Sequence, residues 1–183
     1  NEGPSNGSVP PPGTNPNVIT VGALDDRKTL DRSDDTVAEF SSRGPTTIDG
    51  LIKPDLLAPG VSVFGPLAPG TTLDVPEVPH IGNDYFAISG TSMATPMVAG
   101  LAAILKQANP ELTHQQIKEI LVETADHYLP EEPNVQGAGL LDASEALEVA
   151  LERAKSQSAP SAQPAEAADK KQATPEGEGF LFA

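Results

Sequence analysis

Ser92 is the side chain in this sequence best placed to act as a nucleophile. It follows Gly90 and Thr91, which end a predicted strand, and it stands in the first turn of a predicted helix. That turn presents N–H groups without partners and a partial positive charge, which can stabilise the oxyanion formed when a serine attacks a carbonyl. A lone serine at a helix start is more often an N-cap residue. Its position alone leaves nucleophile and helix cap as alternatives.

The elements on either side of Ser92 are predicted from apolar patterning. Residues 84–89 predict a strand that leads into the glycine, and Met93–Gln107 predicts a helix. The main apolar stripe of this helix comprises Val98, Leu101, Ala102 and Leu105. Alanine and glycine occupy much of the remaining surface, and a helix that is apolar nearly all round is typical of a buried one. We therefore expect a buried helix behind the serine.

The rest of the first 155 residues predicts an alternation of short strands and helices. Residues 17–23 form a β-branched run without polar alternation, which indicates a strand covered on both faces. A capping box at 113–116 begins a second helix, and Asp142 begins a third that ends at about Lys155. Further short strands are predicted at 36–40, 56–58 and 61–64. We predict an α/β fold with a mostly parallel sheet and helices on both faces.

Composition and charge exclude several functional classes. The 183 residues include 26 acidic and 11 basic side chains, a net charge of −15, and no cysteine. Without cysteine there is no disulfide framework, thiolate metal site or cysteine nucleophile. The negative charge repels phosphate backbones and anionic lipid, so neither nucleic acid nor a membrane surface is expected as a partner. The longest apolar run, 97–105, is shorter than the ~20 residues that cross a bilayer.

Six segments resemble motifs of the subtilisin-like serine proteases. Gly90–Pro96, with the sequence GTSMATP, resembles the segment that carries the active serine of that family. Asn1–Gly3 resembles the oxyanion-hole segment, and Gly137–Ala143 resembles the family's Gly-x-Gly-x-x-Asn/Asp-Ala ending. The other matches are a strand at 18–23 and turns at 40–45 and 53–60. Because order and spacing agree across about residues 1–152, the chain is identified as a member of this family.

The resemblance implies roles for particular residues. Ser92 would attack the peptide carbonyl to give an acyl-enzyme that water hydrolyses. The Asn1 side-chain amide and the Ser92 backbone N–H would donate to the oxyanion, with Thr91 assisting. In the family the triad Asp and His precede the oxyanion asparagine, so both are expected upstream of Asn1. The chain would then be the C-terminal part of a catalytic domain, incomplete at its N-terminus. It would cleave polypeptide substrates only together with the missing N-terminal part.

None of the three histidines is expected to be the general base. His80 lies in the loop before the nucleophile strand, and His114 lies inside the capping box. His127 lies near the end of the second helix, where the helix dipole favours a cation. None has the His-Gly-Thr context of the family's catalytic histidine. Surface or capping roles are therefore predicted for all three.

Two acidic features bear on a metal site. Residues 25–35 contain five aspartates but lack the glycine at the sixth place and the glutamate at the twelfth that mark a calcium loop, so a solvated loop is favoured. Asp55 matches a carboxylate near a weak cation site in some family members, and a turn-stabilising role is favoured for it. We expect no cofactor to be required for the chemistry. A structural calcium ion, which family members often bind, is kept as an alternative.

The composition changes near the end of the predicted third helix. We assign residues 1–152 to the C-terminal portion of a peptidase domain. Residues 153–183, rich in Ala, Pro, Gln and Glu, predict a disordered tail because they cannot bury enough surface to offset chain entropy. Within this tail, Phe180–Phe182 could dock on a groove, although a solvated linker is favoured.

Two readings of the function follow, one catalytic and one not. The first is a serine endopeptidase. The alternative is a non-catalytic binding or scaffold module of a larger surface protein, which would need neither Ser92 nor Asn1. The absence of cysteine and the high acidity fit a secreted protein, and the family resemblance also implies secretion.

Overall fold

Six strands and four helices are seen in residues 1–158, which a computed structural model describes. The strands are β1 (Val21–Asp25), β2 (Thr36–Val37), β3 (Leu56–Pro59), β4 (Val63–Pro66), β5 (His80–Ile81) and β6 (Tyr85–Ile88). The helices are α1 (Thr91–Ala108), α2 (His114–Glu123), α3 (Pro133–Gln136) and α4 (Ala143–Ser158). The predicted α/β class is confirmed. No helix in this part of the chain is long and apolar enough to cross a membrane.

The strands form two separate three-stranded sheets. In the first, with order β2-β1-β3, β1 runs parallel to β3 with Val21 opposite Leu56, and antiparallel to β2. The second sheet, with order β4-β6-β5, is antiparallel throughout. The predicted parallel pairing is thus present between β1 and β3, whereas the other three pairs in residues 1–158 are antiparallel. β5 and β6 are too close along the chain for the long crossover that parallel strands need.

The pair β1 and β3 is buried on both faces, as predicted. On one face Ala23, Leu56 and Ala58 join a core cluster with residues of α1, α2 and α4. On the other face Leu24 and Leu57 pack with Val37, Leu129 and Val135. The polar alternation of a half-exposed strand is absent from these strands because neither face meets water.

Helix α1 is buried along one stripe, whereas the sequence predicts burial on all sides. Ala94, Val98, Leu101 and Leu105 are buried. Beside this stripe, Met97 is 37% exposed and Ile104 is 48% exposed. The prediction is therefore wrong for residues 1–158, because their sheet and helices cover only one side of α1. An apolar helix face is left without a partner in this part of the chain.

The predicted helix starts are confirmed by their caps. Thr113 accepts from the N–H of Gln116, and the Gln116 side chain accepts from the N–H of Thr113, which is the reciprocal capping box. Asp142 Oδ1 accepts from the N–H groups of Ser144 and Glu145 at 2.9 Å each. Local hydrogen bonds of this kind depend on short spacings, which a sequence displays directly.

Helix α4 continues to Ser158, past the domain boundary predicted at 152 and past the predicted helix end at Lys155. Good helix formers continue through this stretch. Arg153 also pairs with Glu123 of α2 at 3.0 Å, which ties the last turns to the domain. Residues 153–158 are therefore helical rather than part of a tail. The remainder of the predicted tail, including Phe180–Phe182, lies outside the described residues.

Tyr128 connects the segment after α2 to the aspartate-rich loop. Its hydroxyl donates to the Asp35 carboxylate, and the Arg32 guanidinium lies 4.1 Å from its ring centroid. Arg32 also pairs with Asp126 at 2.7 Å. Burial, reinforced by the hydrogen bond to Asp35, raises the pKa of Tyr128 to about 12.

This shift predicts a loss of stability at alkaline pH that Tyr128→Phe should reduce. An unfolded tyrosine releases its proton near pH 10, whereas the native one holds it until about 12. Stabilisation from the retained proton is therefore complete below pH 10 and is lost as the pH rises to 12. Urea unfolding of the protein that contains this chain should show a steeper decline across that window for the wild type. Phenylalanine keeps the ring beside Arg32 and removes only the titrating hydroxyl. If the free energy of unfolding fell equally steeply with pH in both proteins, the prediction would be contradicted.

Candidate active site

The turn before Ser92 is fixed to the carboxyl end of the central strands. The Gly90 N–H donates to the Gly60 carbonyl at 2.8 Å, and the Gly60 N–H donates to the Leu24 carbonyl at 2.9 Å. A Cβ at Gly60 would lie 2.7 Å from the Ala23 Cβ, so this close approach requires glycine. Gly60 directly follows β3, and the start of α1 therefore stands at the edge where ligands bind in α/β folds.

Gly90 adopts a backbone conformation that only glycine tolerates well. Its φ is 158° and its ψ is 156°. It occupies the N-cap position of α1, where no side-chain cap is present. The helix therefore begins at Thr91, and Ser92 is its second residue.

The structure separates the two alternatives for Ser92. Because the N-cap position belongs to Gly90, Ser92 is not a helix cap. Its side chain is exposed, and within the described residues its hydroxyl has no hydrogen-bond partner. Its N–H belongs to the first turn, whose donors lack helical partners. The hydroxyl and an orphan N–H thus meet at the positive end of an 18-residue helix.

Asn1 is brought to the start of α1 from the opposite end of the chain. Its Oδ1 accepts from both the Thr91 N–H and the Thr91 hydroxyl, each at 2.8 Å. A backbone N–H can only donate, so the amide oxygen must face Thr91 and the Nδ2 group must face away. Nδ2 stands beside Gly90, where a Cβ would approach it to 3.3 Å. Within residues 1–158 neither N–H donor of this amide has an acceptor, so both are available to a ligand.

The segment that carries Asn1 is anchored to the turn at 40–42. The Glu2 N–H donates to the Ser42 hydroxyl and the Gly3 N–H donates to the Phe40 carbonyl, both at 3.0 Å. A Cβ on Gly3 would lie 2.2 Å from the Ser41 carbonyl oxygen, so a larger residue would displace the segment. These contacts and Thr91 hold Asn1 in one position.

A cavity of about 330 Å³ opens beside Asn1. Its wall comprises Asn1, Val9, 10–13, 18–21, Ser42, Pro54, Thr91 and Thr95. None of these residues has a charged side chain.

None of the three histidines lines the cavity beside Asn1. His80 belongs to strand β5 rather than to the predicted loop, and its Nε2 lies 3.3 Å from Asp74 Oδ1. His114 begins α2, and His127 follows that helix in an exposed position. Within residues 1–158 no hydrogen bond joins any of them to Ser92.

The aspartate-rich loop makes local contacts typical of a solvated loop. The contacts are Asp25 with Arg27, Asp26 with Lys28, Asp31 with Ser33 and Asp34 with Thr29. In the described part of the chain no three His, Asp or Glu residues are placed to hold a metal ion. Asp55 instead contacts two lysines, Lys53 and Lys118, at 2.8 and 2.9 Å. This arrangement cannot be predicted from the sequence, because Lys118 lies on the polar side of an amphipathic helix.

Comparison with known sequences identifies relatives over most of the chain. A family model described as "Subtilase family" matches residues 1–143. Serine protease AprX of Bacillus subtilis (strain 168) is 48% identical over 144 residues, which cover 78% of this chain and 32% of AprX. The minor extracellular protease Vpr of the same organism is 44% identical over 89 residues, or 49% of this chain and 10% of Vpr. The chain therefore spans about a third of the length of AprX.

Solved protease structures share the fold described above. The CspB protease of Clostridium perfringens aligns with a TM-score of 0.62 at 27% identity, covering 81% of this chain and 30% of that one. Fervidolysin from Fervidobacterium pennivorans, a keratinolytic enzyme related to subtilisin, aligns with a TM-score of 0.58 at 32% identity, covering 75% and 20%. The predicted resemblance is confirmed by a family match that runs from Asn1 through the Ser92 helix, and this chain belongs to the subtilase family.

Proposed function

We propose that this chain supplies the nucleophile and the oxyanion site of a serine endopeptidase. The proposal rests on two groups at the start of α1. The Ser92 hydroxyl has no hydrogen-bond partner among residues 1–158, and the Asn1 amide oxygen already accepts from Thr91, which leaves its N–H group for a ligand. A scaffold module has no use for this arrangement, and no observation favours that alternative. The subtilase relatives named as proteases support the same activity.

In the proposed reaction Ser92 Oγ attacks the carbonyl carbon of a peptide bond while a general base takes the hydroxyl proton. The carbonyl π electrons move to oxygen, and the resulting oxyanion accepts hydrogen bonds from the Ser92 N–H and Asn1 Nδ2. The tetrahedral intermediate collapses as the base returns the proton to the leaving amine, which gives an acyl-enzyme. A water molecule then attacks the acyl-enzyme in the same two steps, which releases the carboxylic acid product and restores Ser92.

The residues that complete the triad are proposed to lie in a missing N-terminal part of the same protein. The chain covers only 32% of AprX. Its helix α1 also exposes an apolar face with Met97, Gly100 and Ile104, which such a part would cover. Leaving that face in water would favour association of the isolated chain. We therefore propose that the chain is inactive and poorly soluble alone.

The substrate is proposed to be a polypeptide whose side chain next to the cleaved bond is uncharged. The cavity beside Asn1 has no charged side chain in its lining. A charged substrate group placed there would lose hydration without gaining a partner. The acidity of the chain and the extracellular relative Vpr favour a secreted protein.

Active-site labelling tests the proposal directly. We would read the gene upstream of the Asn1 codon and express the whole protein. A fluorophosphonate, which reacts only with an activated serine, should then label the peptide that contains Ser92. Neither urea-denatured protein nor residues 1–183 alone should be labelled, because both lack a placed base. If native full-length protein with its Asp and His motifs present remained unlabelled, the proposed function would be wrong.

A further inference from the structure

Lys118 binds a set of oxygen atoms that would otherwise suit a metal cation. Its Nζ donates to the carbonyls of Pro16 and Val18, both at 2.8 Å, and to Asp55 Oδ1 at 2.9 Å. The side chain is only 14% exposed. Two backbone carbonyls and a carboxylate are the oxygen ligands that hard cations take in proteins.

A second ammonium completes the cluster. Lys53 Nζ pairs with Asp55 Oδ2 at 2.8 Å and donates to the Val18 carbonyl at 3.2 Å. Its side chain is 2% exposed. Burial lowers the pKa of Lys53, and the Asp55 carboxylate opposes that shift. Asp55 Oδ2 also accepts from the Thr20 N–H at 2.7 Å, so both of its oxygens are engaged.

A metal ion at the weak cation site that the family resemblance implies near Asp55 therefore does not fit these residues. A metal ion there would have to displace Lys118 from all three oxygens and would stand close to the Lys53 ammonium. The disagreement concerns a position where the family resemblance implied a cation.

We propose that Lys118 is an internal cation, whose ammonium takes the place of a bound metal ion and holds segment 16–20 against the start of β3. That segment leads into β1, and residues 18–20 form part of the cavity wall beside Asn1. Lys118 is thus a positioning residue for the cavity, a consequence that rests on the proposed function. The replacement of a metal ion does not depend on it.

Lys106 provides a matched control within the same chain. Its Nζ also donates to two backbone carbonyls, those of Pro110 and Leu112. Among residues 1–158 no carboxylate takes part, so removing this lysine leaves no anionic oxygen there to attract a metal ion. Lys118→Ala and Lys106→Ala each remove a lysine that bridges loop carbonyls. Only Lys118→Ala leaves a set of oxygens that includes a carboxylate.

The experiment measures thermal unfolding of full-length Lys118→Ala in potassium chloride, in calcium chloride and in tetramethylammonium chloride of equal ionic strength. The Tm of Lys118→Ala should rise by several degrees in potassium or calcium over tetramethylammonium, because a ligand that binds only the native state stabilises it. Wild type and Lys106→Ala should differ by less than about one degree between the salts. Equal responses of all three proteins would overturn the proposal.

Two further readouts keep the test decisive. If Lys118→Ala is unfolded without added metal, recovery in potassium or calcium supports the proposal, and failure to recover in both overturns it. In an active preparation KM should rise several-fold for Lys118→Ala and return when the cation is added, with kcat nearly constant. If the wild-type protein showed no peptidase activity, the proposed function would be wrong. The unfolding result would still test whether Lys118 takes the place of a metal ion.

Discussion

Replacing Ser92 with alanine should lower kcat of the full-length protein about 10⁶-fold, the loss caused by removing the nucleophile of subtilisin itself. Alanine removes Oγ, so no acyl-enzyme can form, while the Ser92 backbone N–H stays in place. Residual hydrolysis would come from the oxyanion donors and substrate binding alone. Peptide-bond hydrolysis should fall to this residual level and fluorophosphonate labelling should disappear, whereas the thermal transition should stay nearly unchanged because Ser92 is exposed.

Ser144→Ala is the positional control for this prediction. Ser144 is the second residue of α4, as Ser92 is of α1. Its hydroxyl donates to Asp142 at 2.7 Å and so belongs to a cap. Its loss should cost at most a small amount of stability and no activity. Hydrolysis retained by Ser92→Ala would reject the nucleophile role and return the chain to the scaffold alternative.

The sequence predicts local features of this fold well because their causes are local. The Thr113–Gln116 capping box joins residues three apart, and the start of α1 follows from a glycine turn before an apolar run. β1 is shifted relative to the predicted strand at 17–23, because residues 16–20 are engaged by Lys118 and Asp55 rather than by a neighbouring strand. A β-branched run indicates a strand but does not fix its ends.

Features that depend on distant contacts are not readable from the sequence. Lys118 resembles any solvated lysine on an amphipathic helix until the fold places it beside Asp55. The burial of α1 was overestimated, because composition shows an apolar surface but not whether residues 1–158 cover it. Asn1 was found through the family resemblance. Only the structure shows that Thr91 sets the direction of its amide.

Asn1→Ala should lower kcat about 10²–10³-fold with KM nearly unchanged, the scale known for removing one oxyanion donor in subtilisin. Asn1 Nδ2 points away from Thr91 and is therefore free to donate to the substrate. That hydrogen bond strengthens as negative charge develops on the carbonyl oxygen, so it lowers the energy of the transition state more than that of the bound substrate. Alanine removes that donor without altering the nucleophile, so fluorophosphonate labelling should slow rather than vanish.

A graded variant separates donation by Asn1 from simple loss of structure. Thr91→Val removes the hydroxyl that holds Asn1 Oδ1 but keeps the backbone N–H bond to the same oxygen. With one of two orienting bonds left, we expect a loss of roughly 5- to 10-fold in kcat, the worth of one hydrogen bond. Steady-state kinetics should therefore rank wild type above Thr91→Val, and Thr91→Val above Asn1→Ala. An Asn1→Ala effect confined to KM would mean that the amide binds the ground state, and its assignment to the oxyanion would be wrong.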